Sequence, residues 1–201
     1  SLTLPYFKVI SDNKDLTLTP ILFDGSTSML TTEYRAVNKN SKILADFGYV
    51  NGYKSVTTNK KNSLSHLFLK LNHDLNFENF NSSDLELSLN KVSKDTYLKV
   101  FDPYITTSSL RPSNFDKLNS NLKISLNHED FSLTTGIQSY EDLQTKRRSD
   151  RYQYNLPYYN FDKLISQNFF KGNVSFFSSG NNYLSETNKL ETNITNDFNY
   201  N

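Results

Sequence analysis

Three histidines, His66, His73 and His128, are the side chains best suited to bind a metal or move a proton. None stands in HxH or HExxH spacing, so no zinc site is expected. His66 falls inside an alternating, strand-like stretch and is expected to be solvated or to face a polar interior. Carboxylates occur side by side at Glu129-Asp130 and Glu141-Asp142. Adjacent residues of a strand point to opposite faces, so neither pair makes an acid/base couple, and both read as turn residues. The chain has no cysteine, which removes disulfides, thiolate metal sites and cysteine nucleophiles. No phosphate-cradling glycine loop and no nucleophile elbow is present. These residues predict a protein that is not an enzyme and holds no cofactor or metal.

Two further groups carry a physical message. Lys146, Arg147, Arg148 and Arg151 run into Tyr152 and Tyr154. A basic cluster beside aromatic rings suits phosphate, and lipid phosphates are the candidate ligand; a solvated loop is the plainer reading. Pro5 and Pro20 lie inside apparent strands. Proline has no N–H for the ladder, so it marks an edge, a bulge or a weak seam. Pro5 is the stronger seam candidate, and Pro20 is expected to mark a bulge.

The elements that must position these residues follow a period of two. Leu85, Leu87 and Leu89 alternate with Asp84, Glu86 and Ser88. Leu118, Leu122, Ile124 and Leu126 alternate with Asn119, Asn121, Lys123 and Ser125. Such segments are strands with one apolar and one polar side. About ten are expected, at 2–10, 15–23, 27–37, 42–50, 63–73, 83–92, 117–127, 131–140, 152–162 and 172–178, with a possible eleventh at 188–198. Most span the length that crosses a bilayer at a tilt, about 9–11 residues. Short connections alternate with long ones at 51–62, 93–116 and 141–151, the rhythm of up-and-down hairpins with one quiet and one elaborated rim.

Composition bounds the reading. The chain has 201 residues, 22 basic against 21 acidic, and a net charge of +1, which argues against a nucleic-acid binder. Hydrophobic residues make up 36% of the chain and mean hydropathy is -0.62, poor for an ordinary core, while aromatic residues at 14% argue against disorder. A barrel with a wet lumen reconciles these values, because only alternate residues meet lipid. On that reading Leu85, Leu87, Leu89, Leu122, Ile124 and Leu126 face lipid, and Asp84, Glu86, Asn121 and Lys123 face the lumen. A soluble β-sandwich also alternates apolar and polar residues, and remains open at this point. The chain opens at Ser1 directly in patterned sequence and has its single methionine at Met29, from which a piece of a longer protein without a signal peptide is expected.

The run from Leu4 to Pro20, LPYFKVISDNKDLTLTP, resembles the start of the barrel in the LptD family of lipopolysaccharide-assembly proteins. Gly25 and Glu33-Tyr34-Arg35 match that family's next turn and strand. Asp95-Thr96-Tyr97-Leu98-Lys99-Val100-Phe101 resembles its D-x-Y-(L/F)-x-x-F core, and Tyr140, Asp142-Leu143-Gln144 and Leu156-Pro157 fit its later pattern. The resemblance covers roughly residues 2–160. It implies a Gram-negative outer-membrane location, lipopolysaccharide as the transported molecule, a plug lipoprotein of the LptE type, and periplasmic proteins that bridge lipopolysaccharide to the barrel. It also implies a lateral exit between first and last strands, near Pro5. The family's jellyroll domain and cysteines are not in this sequence.

Together these readings predict an all-β, antiparallel up-and-down transmembrane β-barrel segment, with residues 1–201 forming the amino-terminal strands of a larger barrel. Another outer-membrane barrel of the porin or adhesin type, or a soluble secreted β-sandwich binding module, are the alternatives.

Overall fold

Residues 1–23, 25–55, 58–145, 151–185 and 189–200 are described by a computed structural model of the chain. Its strands are β1 (Leu2–Thr3), β2 (Tyr6–Ser11), β3 (Lys14–Leu22), β4 (Ser28–Asn38), β5 (Ser41–Ser55), β6 (Thr58–Asp74), β7 (Ser82–Val92), β8 (Lys117–Asn127), β9 (Phe131–Asp142), β10 (Tyr152–Phe169), β11 (Gly172–Ser185) and β12 (Lys189–Tyr200). They form one antiparallel sheet in which, from β3 to β12, each strand pairs with the next in sequence. β1 and β2 are two halves of one edge, both paired with β3 and separated at Leu4-Pro5. From β3 onward the strands run from 9 to 18 residues, well beyond the five or six usual in soluble sheets.

The alternation located nearly every strand. Two differences stand out. The expected long loop at 51–62 is mostly strand, because β5 and β6 continue through it. The 93–116 connection is not featureless: it carries helix α1 (Tyr97–Phe101) and a 3-10 turn at Asp102–Tyr104. Tyr97, Leu98, Phe101 and Ile105 recur at helical spacing and are all buried. They are the apolar positions of the segment whose Asp95–Phe101 core resembles a strand-to-loop motif.

The chain divides into two compact units, residues 1–71 with 88–118, and residues 72–87 with 119–201. In the first unit the pairing register fixes two faces. Thr17, Glu33 and Asp46 lie side by side, as do Thr19, Thr31 and Gly48, and Ile21, Met29 and Val50. Residues 97–108 pack over this face, with Ile105, Thr107 and Ser108 against Thr17, Thr19, Thr31, Glu33 and Asp46. On the opposite face Leu18, Thr32 and Phe47 form one row, and Pro20, Leu30 and Tyr49 another. That face is open: Phe47 and Tyr49 are each 43% exposed.

In the second unit the register of β9 to β12 also separates two faces. Phe131, Leu133, Thr135, Phe161, Phe176, Ile194 and Phe198 share one. Ser132, Thr134, Gly136, Tyr158, Asn160, Asp162, Asn181 and Asn193 share the other.

Candidate functional site

The covered face of the first unit has the most elaborate chemistry. The His66 ring is buried between Asp46 and Tyr97, with Nε2 3.2 Å from Asp46 Oδ1 and Nδ1 2.8 Å from the Tyr97 hydroxyl. Nε2–H donating to the carboxylate and Tyr97 O–H donating to Nδ1 satisfies all three groups with a neutral imidazole. The ring stacks on Phe68 at 4.4 Å. It lies over Gly48, where a Cβ would come within 2.3 Å of the imidazole Cε1. Only glycine leaves room for that ring. Phe101 extends the contact through Phe23 and Tyr53, at 6.5 and 5.8 Å. Burial, and secondarily the nearby Asp46 charge, pushes the Tyr97 phenol above its ordinary range. This cluster latches the 93–116 segment onto the wall. Of the two expectations for His66, solvated or facing a polar interior, solvation fails: the ring sits on the polar face beside Asp46 but is buried by a segment that arrives from about thirty residues further along the chain.

Below the latch, towards the β2–β3 and β4–β5 turns, the same face borders a cavity of about 750 Å³. Lys14, Asp15, Glu33, Arg35, Lys42 and Thr107 contribute to its lining. Arg35 Nε donates to Asp15 Oδ1 at 2.8 Å, and Glu33 lies 3.8 Å from the same nitrogen. Asp15, Glu33, Arg35, Lys42 and Asp46 thus gather on the covered face, whereas Lys14, at the start of β3, pairs with Ala36 on the open one. On the open face β4 presents Ser28, Leu30, Thr32, Tyr34 and Ala36, and β5 presents Ser41, Ile43, Ala45, Phe47 and Tyr49. No charge stands among them.

In the second unit polar side chains of neighbouring strands meet on one face. Lys123 Nζ is 3.0 Å from Glu86 Oε2. The Tyr158 hydroxyl donates to Asn121 at 3.2 Å, and Gln138 donates to Asn119 at 3.1 Å. Asp84, two residues from Glu86, points to the same side. Tyr158 sits against Gly136, its cross-strand partner, and Tyr159 against Gly180. The opposite side carries Leu122, Ile124 and Leu126 on β8, and Phe131, Leu133, Thr135, Ile137 and Ser139 on β9, with no charge among these residues.

Lys146, Arg147 and Arg148 lie outside the described residues. Arg151 is placed differently from an exposed phosphate ligand. It is buried, and its Nε and Nη2 donate to Glu141 Oε1 at 2.8 and 2.6 Å. Tyr152 donates to the same oxygen at 3.2 Å. Glu141 and Asp142 end β9 rather than forming a turn.

Pro5 and Pro20 are close in the sheet. Leu4 N–H donates to the Pro20 carbonyl at 3.1 Å, and Pro20 has no N–H to return. The β1–β3 and β2–β3 pairings share one register across this point, and Pro20 pairs with Leu30 without a shift, so the expected bulge at Pro20 is absent. Backbone groups of successive strand residues point to alternate sides. Leu4 points towards β3, so the missing donor of Pro5 belongs to the free side of the edge. Sequence reasoning found both prolines but could not assign their sides. It missed Asp46 and Gly48; a glycine and a carboxylate two residues apart within an otherwise apolar strand were the available signal.

No protein-family model matches the chain. It is 26% identical over 150 residues to the LPS-assembly protein LptD of Cupriavidus necator. The match covers 74% of this chain and 17% of the length of that protein. Over that stretch the chain is similar to part of an LPS-assembly protein, and its all-β antiparallel sheet fits an outer-membrane barrel of that kind.

Proposed function

We propose that this chain forms part of a Gram-negative outer-membrane barrel that delivers lipopolysaccharide to the outer leaflet through a lateral seam beside its first strand. It works by geometry, without catalysis, cofactor or nucleic acid. The observation that carries the membrane reading is the segregation of charge. Within each unit charge concentrates on one face, Asp15, Glu33, Arg35, Lys42 and Asp46 in the first and Glu86 and Lys123 in the second, while the opposite face is mainly apolar and carries only scattered lysines such as Lys8, Lys14 and Lys163. A soluble sandwich would bury the apolar face; here Leu22, Leu30, Phe47 and Tyr49 are exposed. Lipid is the solvent that suits them. The similarity to an LPS-assembly protein supports lipopolysaccharide as the cargo. A plug lipoprotein of the LptE type and periplasmic bridge proteins are the partners that accompany this reading, and residues 1–201 belong to a single barrel domain.

The seam rests on the prolines. Pro20 removes a donor between β1/β2 and β3, and Pro5 removes one on the free side of that edge. A net ladder bond is worth about 0.5–1.5 kcal/mol, enough to bias one seam without unfolding the sheet. The test is Pro5→Ala in the full-length protein, with lipopolysaccharide arrival at the cell surface measured beside barrel stability. A firmer seam and slower export are expected. Unchanged export in a normally folded variant removes Pro5 from the mechanism. The membrane reading has its own test in Ile124→Arg, which should cost about 2–4 kcal/mol if that residue meets mid-membrane lipid.

A further inference from the structure

Glu33 and Asp46 stand directly opposite each other on β4 and β5, on the face that residues 97–108 cover. Like charges in directly opposite positions repel, and cover strengthens the repulsion by removing the water that screens it. Their surroundings offer little compensation. Arg35 Nε is 2.8 Å from Asp15 and 3.8 Å from Glu33, so the nearest guanidinium is engaged first by another carboxylate. The His66 ring is neutral when it donates to Asp46 and accepts from Tyr97. Lys42 stands two rows away along the same face of β5.

A small cavity of about 40 Å³ lies at this point, between the covering segment and the wall. Glu33 and Asp46 line it, with Thr17, Thr19 and Thr31 from the wall and Thr107 from the segment. Among the described residues, every polar side chain of the lining carries oxygen, and no lysine, arginine or histidine lines it. Asp46 is 4% exposed, and its bond to His66 uses Oδ1; among the described residues no donor reaches Oδ2. A carboxylate oxygen held out of water beside such a cavity calls for a positive partner. A space of this size takes an ion with about one or two waters.

We propose that this cavity binds a hard divalent cation of the calcium or magnesium kind, held by Glu33, Asp46 and the threonine hydroxyls, which ties residues 104–108 to the wall. Charge and donor type select that ligand. Two carboxylates match a double positive charge, and oxygen-only sites suit calcium and magnesium rather than zinc. The lack of zinc spacing in the sequence has no bearing on it, since the oxygens come from β3, β4, β5 and the 93–116 connection. The ion is structural, and the inference is independent of the lipid and cargo readings.

Limited proteolysis of residues 93–116 in the full-length protein tests it, first in chelator and then with calcium or magnesium added. An ion that binds only the packed state, at ten times its dissociation constant, should slow cleavage about tenfold. Glu33→Gln keeps the shape and removes one charge, and Thr31→Val removes one hydroxyl; each should lose most of that slowing. In chelator Glu33→Gln, relieved of the repulsion, should be cleaved no faster than the native protein. Terbium, which replaces calcium, should luminesce on tyrosine excitation, because Tyr104 lines the cavity. That emission should fall when calcium is added and be lost in Glu33→Gln. Cleavage that calcium and magnesium both leave unchanged in the native protein would mean that the cavity holds water only, and the proposal falls. Equal slowing in the native protein, Glu33→Gln and Thr31→Val would put the ion elsewhere and overturn it as well. Lipopolysaccharide export is not the readout, so either failure leaves the proposed function standing.

Discussion

Asp46 and His66 in the first unit are almost fully buried, whereas Asn160, Asp162 and Asn181 on the polar face of the second remain exposed. Both groups come from the same kind of alternating strand. The difference is the 97–108 segment, which packs over the first wall. Cover changes what a polar residue must do. A buried carboxylate or imidazole left unpartnered costs the full desolvation of that group, so the covered wall is matched group for group: Asp46 to His66, and His66 to Tyr97. On the exposed wall a pair such as Glu86–Lys123 is screened and weakly held, and a mismatch there costs little. Charge therefore has structural weight in one unit and sets the local polarity in the other.

The largest expected effect comes where the second unit resembles the covered wall. Arg151→Met leaves Glu141 buried without its cation and should cost about 3–5 kcal/mol, read from the urea unfolding midpoint of the full-length protein. A loss under 1 kcal/mol would mean that Glu141 is solvated and that the two units differ more sharply than argued.

Glycines beneath rings come next. Gly48→Ala drives a methyl into the His66 ring, and Gly136→Ala meets the Tyr158 hydroxyl at 2.8 Å and the Leu122 carbonyl at 2.4 Å. Each should cost about 1–3 kcal/mol. They should part in limited proteolysis: the Gly48 variant exposes residues 93–116 to cleavage, and the Gly136 variant leaves that segment protected. Equal cleavage would show that the latch does not hold the segment.

Tyr97→Phe removes one hydroxyl and leaves His66 Nδ1 unpartnered, a cost of about 1–3 kcal/mol, again with faster cleavage of the segment. The same contact gives a pH dependence. The phenol is raised above its ordinary value of 10.0 by burial, so the packed state holds its proton more tightly than the released state. The stabilisation is complete below that ordinary value and is lost as pH climbs above it. Cleavage of residues 93–116 should accelerate above about pH 10 in the native protein, and this acceleration should vanish in Tyr97→Phe. Lys123→Gln is the smallest change, about 0.2–1 kcal/mol, and should disappear in high salt.

Much of the sheet was legible because a strand with unlike faces has a period of two, which is plainest at Asp84–Asn90 of β7 and Asn121–Asn127 of β8. The pairing of Glu86 with Lys123 was legible only as a shared face, since register is set between strands and not within one. The latch was harder to see. Tyr97, Leu98 and Phe101 could be read as a short helix, but a five-residue helix has no intrinsic stability and exists because it packs.

The sequence by itself determined the strands, their two faces and the positions without a backbone donor, because alternation and proline chemistry are local properties of the chain. Tertiary structure decided which polar face is covered, that His66 is a buried partner of Asp46 and Tyr97, that Arg151 is spent on Glu141, and which side of the edge lacks the Pro5 donor. Each of these depends on a residue brought into contact across strands or from a distant segment, and no period within a single strand encodes that contact.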